Sequence, residues 1–120
     1  MNARRQSRRG GEGMSYDMQL VINTGGERPA AVTECKSPTY NLGPMFALAL
    51  GGSIREVLDD KKAHSVIRVL EKATASMKRA PAKYKKLNPP NGWGSYEGAL
   101  ESLCWLLEMC KEHPLATVQV

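Results

Sequence analysis

Four glutamates, Glu97, Glu101, Glu108 and Glu112, recur along one edge of a single helical pattern, and rows of carboxylates are the raw material of di-metal centres. Such centres draw their carboxylates from several helices and add Glu-x-x-His pairs. No histidine falls within this row, so it reads as a solvated acidic face. His64 and His113 fall near opposite ends of predicted helices with no Cys or His at zinc-type spacing, and cap and surface roles suit them. Cys35, Cys104 and Cys110 are odd in number. The last two, on one helix, lie about 9 Å apart along its axis and point in different directions. Reduced, buried thiols fit better than a disulfide or a nucleophile. No catalytic triad, metal-ligand set or phosphate loop of recognised spacing occurs. No catalytic residue, metal or cofactor is therefore assigned, and the reading leans away from an enzyme.

Three segments invite binding instead. Thr39, Tyr40 and Asn41 lie in a loop bounded by Pro38 and Pro44, where their hydroxyls and amide either hold a ligand or tie down an irregular backbone. Trp93, between Gly92 and Gly94, either stacks on a base or packs the start of the next helix onto the core. Together these four residues define an expected pocket for a small nucleotide-like ligand. Lys78, Arg79, Lys83, Lys85 and Lys86 put five cations in nine residues, with Tyr84 among them. That is either a phosphate-facing patch or a solvated helix end.

The net charge of +5 divides unevenly. Residues 1–13 carry Arg4, Arg5, Arg8 and Arg9 against one glutamate, a balance of +3, which leaves 13 basic and 11 acidic groups, or +2, for residues 14–120. With Gly10, Gly11 and Gly13 before Met14, residues 1–13 read as a flexible arginine-rich arm or as an extension ahead of a domain that starts at Met14. Such an arm could neutralise phosphates without reading bases. No apolar run approaches the roughly 20 residues that span a bilayer, and no apolar segment follows the basic start, so a cytoplasmic location away from membranes is expected.

These residues need elements to hold them. A hydrophobic share of 42% and a charged share of 24% over 120 residues suit one soluble domain, 14–120. Residues 16–22 read as a strand closed by Asn23-Thr24-Gly25-Gly26, with 30–35 as its antiparallel return. Residues 45–50 form a short helix entered at Pro44 and ended by Gly51-Gly52. Ser53 and Glu56 have capping-box spacing for a further turn over 54–58. Asp59 or Asp60 then caps a helix reaching Arg79, whose apolar face is Val66, Val69, Leu70, Ala73 and Met77. Asn88 to Ser95 interrupts the pattern and launches a last helix over 95–113. Its main apolar face is Ala99, Leu100, Leu103, Leu106, Leu107 and Cys110, and Trp105 and Met109 make it apolar on a second side. Residues 116–120 alternate like a third strand, placed after Pro114.

Thr39-Tyr40-Asn41 with Pro44-Met45-Phe46, and Asn88-Pro89-Pro90-Asn91-Gly92-Trp93-Gly94 with Tyr96-Glu97-Gly98-Ala99-Leu100, resemble motifs of a group of small uncharacterised proteins of bacteriophages and their bacterial hosts. The resemblance covers residues 14–120 and implies a setting: a phage or prophage accessory protein concerned with host interaction or counter-defence. It carries no activity, cofactor or catalytic residue.

The expected architecture is an α+β domain, two or three antiparallel strands against about three helices. The expected function is a non-enzymatic interaction protein using a surface of Trp93, Trp105 and Met109, with a protein partner or a second copy as a homodimer. The alternatives are electrostatic nucleic-acid binding through the arginine arm and the 78–86 cations, and sequestration of the nucleotide-like ligand.

Overall fold

The computed structural model describes residues 15–26 and 28–120, so the arginine arm with Arg4, Arg5, Arg8 and Arg9 lies outside the described residues. Strand β1 (Gln19–Ile22) pairs antiparallel with β2 (Ala30–Ala31). Burial along β1 does not alternate: Met18, Leu20 and Val21 are all enclosed, and Ile22 emerges at the turn. The two strands are shorter than 16–22 and 30–35 because the return bulges. The Leu20 N–H goes to Thr33 Oγ1 at 3.1 Å instead of to a ladder carbonyl, and pairing resumes only at Met18 with Lys36 and at Ser15 with Thr39.

A 3₁₀ turn, Tyr40–Leu42, leads into helix α1 (Gly43–Leu50), which has Pro44 in its first turn and Gly51 in the left-handed region at its end. Helix α2 (Ile54–Leu58) opens with Ser53 accepting the Glu56 N–H, as the capping-box spacing predicts. Helix α3 (Ala63–Arg79) buries Ala63, Val66, Leu70, Ala73, Thr74 and Met77. A short α4 (Pro81–Lys85) follows, then α5 (Tyr96–Glu112), capped by Ser95, and finally β3 (Thr117–Gln119). The sheet order is β2-β1-β3, all antiparallel, with Leu20 opposite Val118. Helices α3 and α5 pack on each other, α1 packs on α3, and α5 lies against β1. The domain is α+β, as expected.

The start of α3 departs from expectation. Neither Asp59 nor Asp60 caps it; the cap position is Lys62, without a side-chain bond. The first helical N–H groups find backbone partners across the fold instead: Ala63 N donates to Ala116 O at 2.8 Å and His64 N to Pro114 O at 3.0 Å. Orphan donors of a helix start need an acceptor, not a particular residue type. The two aspartates serve the C-terminal strand. Asp59 Oδ1 accepts the Val120 N–H at 2.9 Å, and Asp60, at φ 63°, donates its N–H to Val118 O. The third strand is thereby held on one side by β1 and on the other by residues 59–63.

Candidate functional site

Residues 77–96 fold as a lobe at the junction of α3, α4 and α5. Tyr96, at the start of α5, sends its buried hydroxyl to Met77 O on α3 at 2.7 Å, which fixes the two helix ends together. Between them stands α4, where only a cationic loop is expected from the sequence; Pro81 after Ala80, a good first-turn residue, is the signal that could have found it. Tyr84 on α4 is buried. The ammonium of Lys83 lies 5.7 Å from its ring centroid, and that of Lys85 lies 5.4 Å from the Tyr96 ring. Lys85 also reaches Glu97 at 3.7 Å. Lys78, Arg79, Lys83, Lys85 and Lys86 are all exposed, and among the described residues no carboxylate comes within ion-pair distance of any of them except Lys85.

The loop after α4 is braced from within. Asn88 Oδ1 accepts the Tyr96 N–H, Asn91 Oδ1 accepts the Trp93 N–H, both at 2.9 Å, and Gly92 N donates to Pro89 O. The Asn-rich run is therefore a set of local backbone caps. Trp93 does not pack the helix start onto the core. Tyr96 does that, and Trp93, seven residues past the last of the five cations in the chain, is left 56% exposed.

The two motifs of the sequence meet, but not through the expected residues. A Cβ on Gly94 would stand 2.8 Å from Thr39 Cγ2 and 3.0 Å from Leu42, so only glycine allows this approach. Beside the contact runs an open groove of about 280 Å³ lined by Lys36, Thr39, Leu42, Gly94, Ser95, Gly98, Glu101 and Ser102, among others. Of the four residues expected to line a ligand pocket, Thr39 alone borders this groove. The Asn41 side chain donates to Thr39 Oγ1 at 3.1 Å, tying down its own turn. Tyr40 faces a different neighbourhood, which residue patterns do not reveal. Its ring meets Tyr16 edge-on at 4.7 Å, and its hydroxyl accepts from Arg55 Nη2 at 2.9 Å. The Arg55 guanidinium lies 5.4 Å and 5.3 Å from the Tyr16 and Tyr40 rings. Burial raises the Tyr16 phenol above its ordinary pKa, with the Arg55 charge opposing and Tyr40 adding to the effect.

Trp105 and Met109 are half-buried and pack against the core, so each offers a partner only part of its side chain. Three of the four glutamates of the row make surface ion pairs: Glu97 with Lys85, Glu101 with Lys36 at 3.5 Å, and Glu108 with Lys111 at 3.9 Å. Among the described residues no three His, Cys, Asp or Glu gather as a metal-binding group, and no helix is long and apolar enough to cross a membrane. The three cysteines differ sharply. Cys35 is exposed, Cys104 intermediate, and Cys110 buried with its thiol pushed up by burial to about 11. Burial disfavours the thiolate, so the stabilisation tied to this thiol is complete below its ordinary pKa and is lost as pH rises through the folded value. At pH 8 a disulfide reagent is expected to label Cys35 first and Cys110 only as fast as the protein unfolds; labelling of Cys110 at the rate of Cys35 would refute its enclosure. No family model, curated protein or solved structure matches this chain.

Proposed function

We propose that this protein is a binding protein that acts through the lobe carrying Trp93. The observation that supports this reading is a large aromatic side chain held in solvent on a loop braced by three internal hydrogen bonds. A mobile loop would hide or release such a ring at little cost; a braced one keeps it presented, which lowers the ordering cost of binding. Trp105 and Met109, half-buried and about 14 and 20 Å along α5 from Tyr96, lie away from that lobe and form no part of the proposed surface. The phage-protein resemblance bears on setting, a host interaction or counter-defence role, and leaves the chemistry of the partner to the lobe itself.

An aromatic photo-crosslinking residue, which keeps a ring at the position, placed at Trp93, with the same residue at the exposed Leu48 on α1 as control, tests the reading in producing cells. Discrete adducts are expected at position 93 and not at 48. A second copy of the chain as partner would give an adduct of twice the chain mass. No adduct at 93, or the same adducts at both positions, would refute the proposal.

A further inference from the structure

We infer that the partner at the Trp93 lobe is single-stranded nucleic acid; this rests on the binding reading above and names its ligand. The charge balance of the lobe is the first reason. Five exposed cations face one carboxylate, Glu97, and the lobe's helix ends, the C-termini of α3 and α4 and the N-termini of α4 and α5, offset one another, leaving roughly +4 on a small surface. Four of these cations have no carboxylate among the described residues to satisfy them. A surface of this kind attracts a polyanion and releases its counterions.

Trp93 decides between polyanions. In a duplex the faces of the bases are already stacked and only their edges are offered, so an exposed indole gains little there. An unpaired strand presents both phosphates and free base faces, and aromatic side chains set among cations are how such strands are held without regard to sequence. An acidic peptide would satisfy the cations but gives the indole no planar partner. Tyr96 ties the end of α3 through Met77 O to the 88–95 loop through Asn88 Oδ1, and the Leu87 and Asn88 N–H groups tie that loop to Tyr84 O and Lys85 O of α4, so cations and ring belong to one lobe and a single strand can engage both.

The test uses the full chain and fluorescein-labelled oligo-dT and oligo-U, which separate DNA from RNA as the source, followed by anisotropy over a salt series. Binding is expected to weaken with salt at a log–log slope near −3, since each neutralised phosphate of a single strand contributes about −0.7. Trp93→Ala should weaken binding roughly 5- to 100-fold with the slope unchanged, and Trp93→Phe should restore most of it. Replacing Lys83, Lys85 and Lys86 by Gln should flatten the slope by about 2. A variant with Arg4, Arg5, Arg8 and Arg9 replaced by Gln should keep its dependence on Trp93. The inference is overturned if Trp93→Ala and the lysine variant bind like the parent, if the arginine variant alone abolishes binding, or if a duplex binds equally well. Should oligonucleotides fail to bind while the crosslinker at 93 captures a nuclease-resistant, protease-sensitive adduct, the ligand is wrong and the binding reading stands. Should the crosslinker capture nothing, the reading itself falls.

Discussion

Gly94→Ala is expected to cost about 2–4 kcal/mol of folding stability, whereas Gly92→Ala, two residues away, costs about 1 kcal/mol. Both glycines have positive φ, 106° at Gly94 and 79° at Gly92, so both substitutions strain the backbone. They differ in what the new methyl meets. At Gly92 it enters open space; at Gly94 it would press on Thr39 Cγ2 at 2.8 Å and Leu42 at 3.0 Å. Neither neighbour yields easily. Thr39 Oγ1 already accepts from the Asn41 N–H and side-chain amide, so turning Thr39 forfeits those bonds, and Leu42 is buried in the core. The backbone must move instead, and with it Trp93. Urea unfolding of the two variants beside the parent measures the difference. Equal losses would mean that the two motif loops are not in tight contact. The same shift should also lower any affinity that depends on Trp93.

How far these features are legible in the sequence depends on how local their cause is. The faces of α3 and α5 follow from spacing alone, and Ser53 and Ser95 cap their helices because the acceptor and the N–H groups lie within three residues of each other. Asp59 and Asp60 carry the same local signal and do something else. Residues 114–120 return alongside them and supply the carbonyls that a cap would have replaced, and nothing in a local window announces that return. The candidate site divides in the same way. Its residue types, the 78–86 cations and Trp93, are evident from composition, and so is the unusual character of both loops. That Gly94 rather than Trp93 meets Thr39, and that Tyr40 turns away toward Arg55, are consequences of topology. Tyr16 and Arg55 pass unnoticed in the sequence because each is unremarkable until the chain brings the two together.

That cluster is the setting for the largest single effect expected in the core. Phe46→Ala should destabilise the protein by about 3–5 kcal/mol, while Phe46→Leu should cost about 1 kcal/mol. Phe46 is fully buried on α1, and its ring meets Tyr16 at 5.9 Å and 71°, Tyr16 in turn meeting Tyr40. The three rings and the Arg55 guanidinium thus link α1, the 3₁₀ turn, the segment before β1, and α2. Truncation to alanine leaves a cavity under this stack that the helix backbone of α1 cannot close, and it removes an edge-to-face pair worth about 0.5–1.5 kcal/mol beyond area burial. A double-mutant cycle of Phe46→Leu with Tyr16→Leu isolates that pair, and a coupling of this size is expected. A coupling near zero would show that the rings are merely adjacent. Because the Thr39 turn sits between Tyr16 and Phe46 in the chain and is anchored through Tyr40, loss of Phe46 should also loosen the Thr39–Gly94 contact. Phe46→Ala and Gly94→Ala combined should therefore cost less than the sum of the two.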